Sequence, residues 1–453
     1  MNLLRIKDNT QIKKTSFSQV PVITNKIADK TLGQLEKEGV FIFPEIVKDA
    51  EDITSEQFIL QSVNDSYRSG NVMGFLGCGD ERIIIESRFG NNENDFFFQY
   101  LLEKVLKFPN IVDLQTDADQ NSRLFNMLLF LFPYYLKLAM RKGLYKKYVR
   151  YRYNDSNIKG SIDIARHITK NTPFAGNIAY SQREFSYDNY LMELVRHTIE
   201  YIKRKSYGNN LLLKVKDEVK LVIDATKGYE PYDNQSIVTA NKQNTVRHAY
   251  FREYRSLQHL CLLILQHQKH QIGVGLRQIY GTLFDGAWLW EEYINSLISD
   301  MFYHPMNKAG KDDQRLFNGS KGIGPIYPDF ISKTISPRII ADAKYKPMDN
   351  IRNRDYLQLL AYMFRFDAKQ GFYLYPEAEG GDGQTLRMNK GSTYEDDVIP
   401  RDDISVTKHG LRIPVHADAY DDFVAAIRNY EQEFITIFLP ISQLSQKAIC
   451  SAV

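Results

Sequence analysis

Ile326-Tyr-Pro-Asp329-Phe-Ile-Ser-Lys-Thr-Ile-Ser-Pro-Arg-Ile-Ile-Ala-Asp342-Ala-Lys344-Tyr-Lys346 is the stretch on which the reading of this chain turns. Two apolar, strand-like segments flank Ser336-Pro337, which reads as the turn between them. On an extended chain Ile340, Asp342 and Lys344 project from one face, and Ile339, Ala341 and Ala343 from the other. Asp342 and Lys344 therefore meet the same space, with Pro328-Asp329 brought up by the preceding segment. Two carboxylates and an ammonium converging in this way suit a hard divalent cation, Mg²⁺ foremost. A cation held there polarises a phosphodiester and generates hydroxide, while the lysine stabilises developing negative charge. A second reading stays open on these residues alone: a hairpin carrying a surface Asp and Lys.

The residues resemble the PD-(D/E)xK nuclease signature, which is short and needs structural context. The flanking sequence supplies some. Asp285-Gly-Ala-Trp-Leu-Trp-Glu291-Glu292-Tyr-Ile-Asn-Ser-Leu-Ile-Ser-Asp-Met301 has helical periodicity, with Trp290, Ile294, Leu297 and Met301 on one stripe. Glu291 lies beside that stripe and Glu292 faces solvent. A carboxylate on the buried side needs a partner, so Glu291 is a third acid of the site or one half of an ordinary ion pair. Asn353 to Phe364 reads as a helix with Gln358 and Tyr362 one turn apart, and Gly371 to Pro376 as a buried strand. Strand, acidic strand, helix, strand is an α/β order. Residues 377–411 read as a long loop or hairpin insertion, and about 417–438 as a final helix.

Upstream, Val40 to Pro44 and Glu81 to Phe89 have strand composition, with the glycines of Asn71 to Asp80 supplying turns between strands. Asp95 caps a helix over Phe96 to Leu106. Residues 120–150 read as a helix kinked at Pro133 and closed near Gly143. Gly143 to Tyr153 interleaves Lys, Arg and Tyr. That pattern fits a half-buried strand with a solvated basic face, or a ribbon that contacts phosphates and stacks on bases. Residues 158–166 read as strand-turn-strand around Gly160, and 187–205 and 245–270 as helices. His248, His259, His267 and His270 lack metal-ligand spacing and read as solvated or capping residues.

The 453 residues, 43% hydrophobic and 25% charged, fit an ordinary globular chain of two or three domains. The fold expected is multidomain α/β: a mixed α+β N-terminal domain over 1–118, a mainly helical middle region over 119–272, and a nuclease-like α/β core over 273–453. Net charge is only +3, so nucleic-acid contact has to come from local basic surface. Three scattered cysteines argue against a zinc site or disulfide framework. The absence of a signal-peptide pattern and of a spanning apolar run points to the cytoplasm. No G-x-x-x-x-G-K-[ST] occurs, which excludes that route to nucleotide hydrolysis.

Taken together, Leu289-Trp-Glu-Glu-Tyr293, Pro328-Asp329, Ile340-Ala-Asp-Ala-Lys-Tyr-Lys346, Asp355-Tyr-Leu-Gln-Leu-Leu-Ala-Tyr362 and Leu374-Tyr-Pro376 resemble the McrC family, including the McrC-like subunits of LlaJI-type restriction systems. The resemblance covers residues 120–376 best. It implies the DNA endonuclease subunit of a two-component phage-defence system, working on double-stranded DNA with a McrB-like AAA+ partner that hydrolyses GTP or ATP. It also implies Asp329, Asp342 and Lys344 as the catalytic set, supported by Glu291. Mg²⁺ would sit on Asp329, Asp342 and the main-chain carbonyl of Ala343, with Gln358, Tyr362 and Lys346 as supporting residues. The N-terminal region is expected to engage the partner. Trp290 departs from the phenylalanine common in the family. Two further readings remain: a stand-alone repair or recombination nuclease, and a non-catalytic activator of an AAA+ ring.

Overall fold

A computed structural model describes residues 2–38, 40–43, 56–90, 95–106, 120–205, 207–270, 279–305, 314–318, 323–334, 338–378, 383–391 and 398–438. The chain divides into two units, Met1–Val112 with Leu276–Val453, and Asp113–Gly275. The expected first and third segments thus share one unit, and sheet pairing is the reason. In a five-stranded sheet the order is Asn2–Lys7, Glu81–Glu86, Val72–Cys78, Tyr280–Asp285, Val40–Phe43. The Tyr280–Asp285 strand lies antiparallel to Val72–Cys78 and parallel to Val40–Phe43, so the C-terminal part of the chain completes the N-terminal sheet.

The glycines at 74 and 77 are not turn residues, as the sequence suggested, but members of the wholly buried Val72–Cys78 strand. Gly74 has φ 141°, and a Cβ there would stand 2.0 Å from the Thr282 carbonyl oxygen. A bare backbone is what lets the two strands close. Gly79, at φ 59°, does serve the turn that follows.

The second sheet of this unit has six strands, in the order Phe302–Tyr303, Phe330–Ser332, Ile339–Ala343, Gln370–Glu377, Ile399–Arg412, Gln384–Lys390. Ile339–Ala343, Gln370–Glu377 and Ile399–Arg412 run parallel. Central parallel strands are covered on both faces, which is why Ile339-Ile-Ala-Asp-Ala and Gly371 to Pro376 read as nearly unbroken apolar runs. Within 377–411, left open as loop or hairpin, the strands Gln384–Lys390 and Ile399–Arg412 pair antiparallel and extend this sheet. The crossover helix Asn353–Arg365 packs Leu359, Tyr362 and Met363 against Ile340, Tyr373 and Val406. The helices Phe96–Leu106, Gly286–Ile298 and Tyr420–Thr436 pack together around Glu431. Tyr100 and Tyr293 donate to its carboxylate at 2.7 and 2.8 Å. The expected turn at Ser336-Pro337 lies outside the described residues.

In the other unit, the helices Tyr190–Lys203 and Glu253–His270 match expectation, and Gln120–Met140 accommodates Pro133. The strand Ile178–Ser186 was not expected; it pairs with Lys147–Asp155 and Ser161–Ile162 in a three-stranded sheet. The segment read as strand-turn-strand around Gly160 becomes a two-residue strand and then the helix Ile164–Lys170. The Asp163 side chain caps it, accepting from Arg166 N at 3.2 Å, a strong local signal that the strand reading overlooked. His248 caps a helical turn, as expected, by accepting from Tyr250 N. Among the described residues no helix is long and apolar enough to cross a membrane.

Candidate active site

Asp342 reaches the site because its strand does. Ile339–Ala343 is locked between Phe330–Ser332 on one side and Gln370–Glu377 on the other, with Phe330 opposite Ala341 and Asp342 level with Tyr373. Asp342 is buried at 3% exposure, too deep to be a surface hairpin acid. One residue beyond the last antiparallel pair, Asp329 comes level with Asp342. Its Oδ2 accepts from the main-chain N–H of Ala343 at 2.8 Å. Lys344 follows the strand end, its own N–H held by the Leu374 carbonyl at 2.8 Å and its Nζ 2.5 Å from Asp342 Oδ2.

Glu291 arrives from the helix Gly286–Ile298, whose start is capped by Asp285 accepting from Trp288 N at 2.9 Å. Its angle is fixed one residue earlier, where Trp290 Nε1 donates to the Leu374 carbonyl at 2.9 Å. Glu291 is near enough to Asp329 for their charges to repel. The expectation that Glu292 faces solvent needs correction. Glu291 and Glu292 both reach His304, at 3.6 and 3.7 Å from its Nε2. Adjacent residues on a helix are about 100° apart, and a histidine set beside that arc can meet both.

His304 is the residue that sequence reasoning missed. It follows the short strand Phe302–Tyr303, lies over Phe330 at 5.1 Å, and its Nδ1 is 2.8 Å from the Asp329 carbonyl oxygen. A carbonyl only accepts, so Nδ1 carries the proton. The other ring nitrogen then faces the two glutamates. Burial disfavours the charged imidazole, but the bond to Glu292, the Asp329 carbonyl and the charge of Glu291 outweigh it and hold its pKa above the ordinary histidine range. The signal available in sequence was modest: a histidine ending an apolar pair just after the acid-bearing helix.

The electrostatics describe a site short of positive charge. Burial, then Glu291 and Asp342, push the Asp329 carboxyl well above the usual carboxylate range, against the pull of Lys344 and the Ala343 N–H. Burial works against the Lys344 ammonium as well, yet Asp342 and Asp329 hold its pKa above the ordinary lysine value. Like charges forced together in this way are characteristic of functional sites. The donors that converge are hard oxygens: Asp329 and Asp342, with Ala343 between Asp342 and Lys344. Among the described residues no group of three or more acidic, histidine or cysteine side chains is placed to hold a metal ion, so the carboxylates on offer are Asp329 and Asp342. Two carboxylates fit Mg²⁺, which keeps several of its waters, better than a cation that requires a full protein shell.

The supporting residues divide. Gln358 Nε2 donates to the Tyr362 hydroxyl at 2.8 Å, and that hydroxyl lies 3.4 Å from Tyr327 N, two residues before Asp329. Burial and the Asp342 charge push the Tyr362 hydroxyl up to about 12. The pair therefore braces the Pro328-Asp329 segment from the crossover helix. Lys346 turns away from the acids and donates to Asp355 at 2.6 Å, clasping the start of that helix.

The family described as "McrBC 5-methylcytosine restriction system component" matches residues 67–376. Two similar solved structures come from Thermococcus gammatolerans. One is a refined half-complex from a tetradecameric assembly of McrB AAA+ hexamers with bound McrC. It is 14% identical, with TM-score 0.48, covering 94% of this chain and 99% of that one. The other, a cryo-EM structure of the McrBC complex, is 13% identical, with TM-score 0.31, covering 66% of this chain and 87% of that one. No curated protein matches the sequence.

Proposed function

This chain belongs to the McrC family of the McrBC restriction systems, and from that premise we propose that it is the subunit that cuts DNA, with a PD-(D/E)xK site dependent on Mg²⁺. The observation that carries the reading is the convergence of Asp329, Asp342 and Lys344 at the buried end of one strand, two acids sharing one ammonium, with the charge of Glu291 also bearing on Asp329. A structural ion pair needs one acid for each base. A site for a hydrated divalent cation needs this excess of negative charge.

In this reading Asp329 and Asp342, with the Ala343 carbonyl, would hold Mg²⁺, which when bound would supply a Lewis acid and an activated water. Lys344 stands beside Asp342 to stabilise negative charge as it builds on the phosphate. Glu291, whose charge reaches Asp329, would help orient a water there, and His304 lies 3.6 Å from it. Gln358 and Tyr362 keep Asp329 at its station. The substrate is double-stranded DNA, and a McrB-like AAA+ partner hydrolyses GTP or ATP and delivers it.

The test is plasmid cleavage by the purified chain with Mg²⁺ or EDTA, with and without the AAA+ partner and its nucleotide. Cleavage that needs Mg²⁺ and the partner is expected. Partner-free cleavage would instead mark a stand-alone nuclease. Stimulation of the partner's hydrolysis with no cleavage would leave only an activator.

A further inference from the structure

One residue past Lys344 the chain is gripped by a different part of the same unit. Tyr345 is 5% exposed and lies beyond the strand end, in a tight turn where Lys346 N donates to the Lys344 carbonyl at 2.8 Å. Its hydroxyl lies 2.7 Å from Ser87 Oγ and 3.3 Å from Met73 Sδ, and its ring meets Phe89 edge-on at 5.1 Å. Arg88 completes the grip twice over. Its Nη2 donates to the Tyr345 carbonyl at 2.8 Å, and its guanidinium lies over the Tyr345 ring at 4.6 Å.

Arg88 is itself fixed. The same Nη2 is 2.5 Å from Asn71 Oδ1 and 3.2 Å from Asp8 Oδ2, and the Arg88 main-chain N–H donates to Asp8 Oδ1 at 2.6 Å. Asn71 also turns to the other half of the site. Its carbonyl accepts from Gly286 N at 3.0 Å, at the first residue of the helix that carries Glu291. A Cβ on Gly286 would fall 2.6 Å from Tyr345 Cε1, so that helix starts against the ring itself.

We propose that Arg88 and Tyr345 form a positioning joint through which the N-terminal sheet sets the spacing between the Glu291 helix and the Asp342–Lys344 strand end. The two carriers of the acids touch at Tyr345, and Arg88, Asn71 and Ser87 hold that contact from one side. Neither residue touches the reacting atoms; both act through Lys344 and Glu291. Misplacement of a reacting group by about 1 Å costs about 100-fold in rate, so a joint at the residue next to Lys344 bears directly on catalysis. The inference rests on the nuclease reading and gives the N-terminal sheet a role in the cutting site.

The experiment compares wild type, Arg88→Lys, Arg88→Ala and Tyr345→Phe with Asp342→Ala. It measures single-turnover plasmid cleavage with Mg²⁺, partner and nucleotide, DNA affinity, and amide exchange in the absence of metal. Lysine cannot hold Asp8, Asn71, the carbonyl and the ring at once. Arg88→Lys is therefore expected to slow cleavage about 10-fold or more at unchanged DNA affinity. Exchange at residues 343–346 should rise about 10-fold while the Val72–Cys78 strand stays protected. Tyr345→Phe keeps ring and carbonyl and should remain within about 3-fold of wild type. Where Arg88→Ala does not fold, the lysine variant carries the test. Exchange that rises only within residues 71–90, or cleavage by Arg88→Lys at the wild-type rate, overturns the joint while leaving the nuclease in place. Wild type that cleaves no better than Asp342→Ala overturns the nuclease reading itself, and the joint's catalytic role with it.

Discussion

The two sheets of one unit bury acids in opposite ways. In the five-stranded sheet and the segments that flank it, each buried acid has donors of its own. Arg5 sits 2.5 Å from Glu86, Arg88 binds Asp8, Glu81 accepts from Ile23 N at 2.8 Å, and Asp95 accepts from Ser87 N and Phe98 N. At the six-stranded sheet Asp329 and Asp342 share Lys344, and beside them Glu291 and Glu292 share His304. Burial alone therefore does not mark a functional acid. Nor does like charge alone, since Glu86 and Asp8 also push the Asp95 carboxyl up; what sets the second cluster apart is that Asp329 and Asp342 meet at one strand end beside a single ammonium.

The sharpest way to break this contrast is to remove charge from each side. Asp329→Asn should abolish cleavage, by about 1,000-fold or more, yet raise thermal stability, since the amide keeps an acceptor for the Ala343 N–H and ends the repulsion. Its raised carboxyl contributes stability that is present below the unfolded carboxylate value of about 4 and lost as pH rises through the folded value. The asparagine variant should therefore show a flatter decline in melting temperature with pH; a variant less stable than wild type at pH 8 contradicts the account. Mg²⁺ should raise the melting temperature of wild type and leave that of Asp342→Ala unchanged, because only a competent site binds it. An equal shift in both would place the metal elsewhere.

On the structural side, Gly74→Ala should cost about 3 kcal/mol or more, from the strained φ and the backbone it would strike. Urea denaturation measures it. Asp95 offers a smaller, pH-dependent effect. Burial pushes its carboxyl up to about 7, against its two main-chain donors. The stability it lends is full below about 4 and lost as pH rises through about 7, so Asp95→Asn should flatten part of that fall. Smallest should be Lys346→Ala. It breaks a half-exposed pair with Asp355, and should cost about 1 kcal/mol or less with under 10-fold loss of cleavage.

Most of the site was legible because its geometry is local. Asp342 and Lys344 share a strand face by alternation, Pro328-Asp329 precedes the neighbouring strand, and Glu291 and the Gln358–Tyr362 pair are set by helical spacing. What escaped depends on distant pairing. Nothing near Tyr280 announces that its strand will close a sheet begun at Asn2, so the N-terminal and C-terminal segments read as separate domains. The same blindness hid the reason for Gly74, which lies 208 residues away at Thr282. His304 and Arg88 were passed over because their partners, Asp329 and Tyr345, sit across turns and sheets that a one-dimensional pattern does not join.

The central claim is that the crowded acids are the cutting centre. Its most direct test is cleavage of plasmid by wild type and Asp342→Ala at equal concentration, with Mg²⁺, the AAA+ partner and nucleotide present. Loss of cleavage in the variant, with partner stimulation and folding retained, is the predicted result. Cleavage by Asp342→Ala at the wild-type rate would contradict it.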